Sequence, residues 1–140
     1  MTPSPTTTAS ARWAGSRTGF GVYGSTGITF LRCRAHGNRR DGFDFGTTSN
    51  THDASATILN SQTYDNGEDG FGMSGGTAGT TTFTVINSVA FNNAGSGAQI
   101  YNGVTATLYH NVFHHNANAS NFSGNILTYS EPGASAGRSI

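Results

Sequence analysis

The 140 residues contain no lysine: the seven basic residues are all arginine, and seven acids balance them to a formal net charge of zero. A chain with so little positive charge is a poor partner for nucleic acid. One cysteine, Cys33, rules out an internal disulfide. Only 34% of residues are apolar and 10% charged, which excludes an ordinary layered globule built on a large Leu/Ile core. No apolar run approaches the length of a membrane span or of a signal peptide's central segment, so no membrane partner is expected. If the parent protein is extracellular, its export signal stands outside this chain. No stretch holds the 3.6-residue periodicity of an amphipathic helix.

What is present is a repeat. Asn66-Gly67-Glu68-Asp69-Gly70-Phe71-Gly72-Met73 has a copy before it, Asn38-Arg39-Arg40-Asp41-Gly42-Phe43-Asp44-Phe45, and one after it, Asn93-Ala94-Gly95-Ser96-Gly97-Ala98-Gln99-Ile100. A partial copy, Thr18-Gly19-Phe20-Gly21-Val22, opens the series. Anchored on Phe20, Phe43, Phe71 and Ala98, the copies lie 23, 28 and 27 residues apart. A period that drifts in this way marks a solenoid whose loops vary while its rungs do not.

Each copy pairs a short Gly-Phe strand with a second strand ending at asparagine: Thr29 to Asn38, Thr57 to Asn66, Thr84 to Asn93 and Thr107 to Asn116. Phe20/Phe43/Phe71/Ala98 and Val22/Phe45/Met73/Ile100 alternate with Gly21/Asp44/Gly72/Gln99, so the first two columns are expected inside and the last outside. Asn38, Asn66, Asn93 and Asn116 fall in register, where side-chain amides stacked at strand spacing can form a ladder or serve the bend itself. His36, Tyr64, Phe91 and His114 form a ring column. The expected fold is all-β, a right-handed parallel β-helix (solenoid) of about four to five coils over residues 15–128, with 1–14 a tail or linker and 129–140 a tail. Terminal coils leave unpaired strand edges, so end-to-end self-association or missing flanking coils are expected.

The charges are segregated. Arg12, Arg17, Arg32, Arg34, Arg39 and Arg40 precede every acid; Asp41, Asp44, Asp53, Asp65, Glu68 and Asp69 then follow without a base among them. Asp41 and Asp69 occupy equivalent places on adjacent coils, where two carboxylates repel unless a proton or a cation intervenes; hard oxygen ligands favour calcium. Turn geometry alone also accounts for Asp in such a segment. Arg39 and Arg40, beside that patch, suit bidentate contact with carboxylates and are the candidate substrate-binding residues. An arginine could serve as the catalytic base only against its high pKa.

Asp41-Gly42-Phe43-Asp44-Phe45, followed by Asn60-Ser61 with Tyr64 and Asn66-Gly67, and by Asn87-Ser88-Val89-Ala90-Phe91-Asn92-Asn93, resembles the pectate lyases of polysaccharide lyase family nine and their β-helix relatives. The resemblance covers roughly residues 15 to 125. It implies an extracellular protein acting on an acidic, pectate-like polysaccharide. In that family calcium neutralises the uronate carboxylate and a lysine takes the adjacent proton, so that β-elimination begins. By resemblance, Asp41 and Asp44, with Asp69 a coil away, are the calcium ligands. Arg40 stands where the motif has its first acid, and Gly72 stands where it has the lysine. The catalytic set is therefore incomplete. The alternative is a non-catalytic module that binds glycan or acts as a spacer in a larger extracellular protein.

Overall fold

A computed structural model describes residues 10–11, 18–46, 53–75, 80–117 and 124–129. Among these there is no helix. Fourteen short strands wind into three parallel sheets, as the period-two columns require. Sheet A joins β1 (Ser10–Ala11), β4 (Arg34–His36), β7 (Gln62–Tyr64), β10 (Val89–Phe91) and β13 (Val112–His114). Sheet B joins β2 (Phe20–Tyr23), β5 (Phe43–Gly46), β8 (Phe71–Ser74), β11 (Ala98–Tyr101) and β14 (Ile126–Tyr129). Sheet C joins β3 (Ile28–Leu31), β6 (Ala54–Leu59), β9 (Thr81–Ile86) and β12 (Val104–Tyr109). Four successive B-C-A triplets each make a coil, with β1 added at one end and β14 at the other.

The register explains the drifting period. From a sheet C strand to the following sheet A strand the spacing is constant: Ile28 to Arg34, Ala56 to Gln62, Phe83 to Val89 and Ala106 to Val112. Spacing from sheet A to sheet B is also constant over the first three coils, from Arg34, Gln62 and Val89 to Phe43, Phe71 and Ala98. All the variation among those coils lies in the corner from sheet B to sheet C.

Inside, the expected columns stack. Phe20, Phe43 and Phe71 share one column, with ring centroids 4.9 and 5.3 Å apart. Phe45 stacks on Phe83 at 4.9 Å, which ties sheet B to sheet C across the interior. Phe43, Phe45, Phe71, Phe83, Ile58 and Val85 are all fully buried. A glycine (Gly19, Gly42, Gly70 and Gly97) precedes the first inward residue of β2, β5, β8 and β11, because the backbone of the next coil lies against it. A Cβ on Gly70 would come within 2.7 Å of the Gly97 carbonyl oxygen, closer than any real contact allows.

The asparagine column forms a buried ladder. Asn38 Nδ2 donates to Asn66 Oδ1 at 2.9 Å, Asn66 Nδ2 to Asn93 Oδ1 at 2.8 Å, and Asn93 Nδ2 to Asn116 Oδ1 at 2.9 Å. The positive φ of the bend belongs to the residue before each ladder asparagine: Gly37 (65°), Asp65 (53°), Asn92 (53°) and His115 (52°). On the outside of sheet A the rings of His36, Tyr64, Phe91 and His114 stack nearly parallel, 4.8, 4.8 and 5.3 Å apart.

β1 lies within the stretch 1–14 that the sequence leaves as a tail, and β14 reaches Tyr129, one residue past the expected limit. Aperiodic Ser and Ala give no local signal for a strand; the pairing of Ser10–Ala11 with Arg34–Ala35 comes from the neighbouring coil. Residues 1–9, 12–14 and 130–140 of the two expected tails lie outside the described residues.

Candidate functional site

The acids converge on the outer face of sheet B, at its junction with the turn that arrives from sheet A. A cleft of about 160 Å³ opens there, lined by Arg40, Asp41, Asp44, Glu68, Asp69 and Gln99, with Gly72, Met73 and Ser74 along its base. The alternation in β5, β8 and β11 turns Asp44, Gly72 and Gln99 outward in one column. Gly72 keeps the base low. A Cβ there would sit 3.4 Å from Asp41 Cγ.

Asp41 and Asp69 stand on adjacent coils, as expected, but each is bound into the fold. Asp41 Oδ1 accepts the Asp69 N–H at 3.0 Å, and Asp69 Oδ1 accepts the Ser96 N–H at 2.6 Å. The Gly124 N–H then donates to Ser96 Oγ at 3.4 Å. The two carboxylates therefore form a second ladder, which serves turn geometry as well as facing the cleft. They are only 4% and 8% exposed. Burial pushes the Asp41 carboxyl up from 3.8 to about 7; the Asp69 N–H opposes this, and the charges of Asp44, Asp69 and Glu68 add to it. Burial likewise raises Asp69, against the hydrogen bond from the Ser96 N–H.

Asp44 is half-buried and accepts a short hydrogen bond from the Tyr23 hydroxyl. Burial first, and then that carboxylate, hold the phenol well above its ordinary value, so it stays protonated. The sequence reading missed Tyr23, although its place on the outward face two residues beyond Gly21 was a usable signal. Gln99 appeared only as an outward position, and Glu68 only as part of the acidic run.

The two arginines part company. Arg40 Nε donates to Glu68 Oε2 at 2.9 Å across one coil, with both side chains about half exposed (46% and 48%). That hydrogen bond raises the guanidinium pKa further, so Arg40 cannot give up a proton as a free base would. Arg39 is exposed and is not among the residues lining the cleft. Among the described residues, no group of three or more His, Cys, Asp or Glu side chains has the arrangement of a metal site. The donors that fit a hard cation are the carboxylate oxygens of Asp41, Asp44 and Asp69 that face the cleft; one oxygen of each of Asp41 and Asp69 is already taken by a backbone N–H.

What the arrangement can do follows from these contacts. The cleft offers carboxylate and amide oxygens to hydroxyl donors, one amide donor at Gln99, and an excess of negative charge over the single, paired Arg40. No helix among the described residues is long and apolar enough to cross a membrane.

Comparison with curated proteins and with solved structures gave no match in either set. Residues 7–113 do match a family model, described as a right handed beta helix region. This match carries the fold and its hand, and lends no support to the narrower resemblance to pectate lyases of family nine. With more than half of its length covered and its strands wound as three parallel stacked sheets, the chain belongs to the right-handed β-helix family.

Proposed function

We propose that this chain is a glycan-binding β-helix module of an extracellular protein, holding polysaccharide along sheet B without cleaving it. The observation that carries the reading is the cleft itself: a shallow polar trough, based on Gly72 and lined by Asp44, Glu68 and Gln99, whose oxygens match the hydroxyl donors of a sugar. Catalysis by the pectate lyase route lacks its base. Gly72 stands in the lysine's place, the chain has no lysine to substitute for it, and Arg40 is held by Glu68. Four carboxylates against one arginine favour a neutral polysaccharide. An acidic, pectate-like chain requires calcium to bridge its carboxylates to Asp41, Asp44 and Asp69.

A second, catalytic reading rests on Asp41. A buried carboxyl that exchanges its proton near neutral pH is suited to acid–base work in a cleft of this kind.

One experiment addresses both readings. Mobility of the purified chain is followed in gels containing neutral or acidic polysaccharide, with and without calcium, while the same mixtures are assayed for unsaturated uronates and new reducing ends. Retardation on a neutral glycan, lost in Asp44→Ala or Gln99→Ala and unaccompanied by products, supports the binding module. Products that disappear in Asp41→Asn replace it with the catalytic reading. No retardation on any polysaccharide removes both.

A further inference from the structure

Sheet C turns to solvent a face that the cleft does not use. Its strands β3, β6, β9 and β12 contain no charged residue, whereas Asp44 stands on the outer face of sheet B and Arg34 on that of sheet A. The strand register sets its outward side chains in columns. Thr29, Thr57, Thr84 and Thr107 stand in line across four coils, each between inward neighbours. Two residues earlier, Ser55, Thr82 and Thr105 form a second line. Two residues later come Leu31, Leu59, Ile86 and Tyr109. All of these side chains are exposed or half-exposed. Ser55 Oγ accepts the Gly27 N–H at 2.8 Å; no threonine hydroxyl of the two lines has a partner among the described residues.

The face is therefore a two-dimensional grid of unengaged hydroxyls. Adjacent strands lie about 4.8 Å apart, and alternate residues of one strand about 6.7 Å apart. Crystalline water has similar repeats: with hydrogen bonds of about 2.75 Å set tetrahedrally, oxygens bonded to a common neighbour are about 4.5 Å apart, and the lattice repeats at about 7.3 Å in the perpendicular direction. From β3 to β12 the mismatch across strands amounts to about 0.5 Å on either side of the centre, within the range of lengths and angles that a hydrogen bond tolerates. Threonine is stiff at χ1, so the hydroxyls are held in place before a ligand arrives. Flat sheets are those held by stacking and by side-chain ladders, and this solenoid has both, in the Phe20, Phe43 and Phe71 column and in the asparagine ladder. A charged ligand would find no counter-charge here; an uncharged one is the complement of the face.

We propose that the outer face of sheet C binds ice, its threonine hydroxyls taking the places of lattice waters and the methyl groups of threonine, leucine and isoleucine filling the space between them. The proposal is independent of glycan binding, which uses the outer face of sheet B.

The test freezes water in contact with the full chain. A seeded ice front is grown slowly through a dilute solution, and the fraction of protein taken into the ice is compared with the fraction left in the liquid; the shape of a single crystal held just below its melting point is followed in the same solutions. The unaltered chain should enter the ice and facet the crystal. Thr84 lies inside the grid, between Thr57 and Thr107. Thr84→Lys should lower the incorporated fraction about tenfold, through lost hydrogen bonds and an interposed charge. Thr84→Val keeps the branched shape and strand preference and should give a smaller loss in the same direction, so the hydroxyl is tested even where Thr84→Lys fails to fold. Gln62→Lys puts the same charge on the outer face of sheet A and should leave incorporation unchanged, with circular dichroism as a check on folding. Exclusion of the unaltered chain from the ice overturns the proposal, as does unchanged incorporation of the folded Thr84 variants. Sedimentation with insoluble cellulose or chitin that Thr84→Lys abolishes also overturns it, because the face would then belong to a crystalline polysaccharide.

Discussion

Two ladders climb the same corner of this solenoid three residues apart, and they behave differently because an amide and a carboxylate differ in what they can donate. In the Asn38–Asn66–Asn93–Asn116 column each amide after the first accepts from the coil before, and each before the last donates to the coil after, so the stack carries no charge; its cost falls on the first rung, where the buried Asn38 Oδ1 has no partner among the described residues. In the Asp41–Asp69–Ser96 column the two carboxylates only accept, from the backbone N–H of the next coil and, at Asp69, from the Ser96 side chain as well. Each aspartate adds a buried charge that its neighbours resist. The amide ladder is scaffold. The carboxylate ladder meets the same geometric need but leaves a carboxyl with a raised pKa at the edge of a cleft.

The largest effect is expected from making the first ladder resemble the second. Asn66→Asp removes the donor that serves Asn93 Oδ1, Thr63 Oγ1 and the Ala35 carbonyl, and buries an unpaired charge. A loss of about 3–5 kcal/mol is expected by urea denaturation. Removing the amide without adding charge, as in Asn66→Ala, should cost roughly 1–3 kcal/mol in the same assay. Equal losses in the two variants would mean that charge is not what separates the ladders.

Asp41 gives the comparison a pH axis. Its folded pKa of about 7 lies above the ordinary 3.8, so the folded chain binds this proton more tightly than the unfolded chain does. Its contribution to stability is complete below about pH 4 and is lost as pH rises through 7. Asp41→Asn keeps an oxygen for the Asp69 N–H and removes the titration. The variant should melt higher than the parent at pH 8, by on the order of 1 kcal/mol, and show a flatter melting profile between pH 5 and 8. A parent whose melting temperature rises over that interval for reasons traceable to Asp41 would contradict the assignment. The smallest effect belongs to the solvated pair outside both ladders: Arg40→Ala should change stability by about 0–1 kcal/mol, less at high salt.

Sequence columns were a good guide wherever side chains of successive coils touch each other. Phe20, Phe43 and Phe71 could be placed in one stack, and Asn66 in a ladder, because like residues recur at like positions when each is the other's environment. The site was less legible where the partner is backbone or lies off the column. Nothing in the spacing of Asp41 and Asp69 shows that a peptide N–H occupies one oxygen of each. Tyr23 reaches Asp44 on the next coil from two residues further along its strand; Arg40 and Glu68, by contrast, hold equivalent places in successive copies, and their pairing could have been read from the alignment. A contact between different columns, like that of Tyr23 with Asp44, leaves no repeated residue pair to read.

The corner from sheet B to sheet C has a consequence for how such a chain can be altered. Since three coils change length there and keep the same spacing elsewhere, segments inserted after β5 or β8 enter the path between sheets without shifting any rung. For a flexible segment the entropy of closure grows only slowly, about 0.6 kcal/mol for each doubling of length. The same corner follows directly from the strands that carry Asp44 and Gly72. It is therefore a graft site: new residues can be hung beside the cleft, one coil at a time, on a scaffold that does not register their arrival.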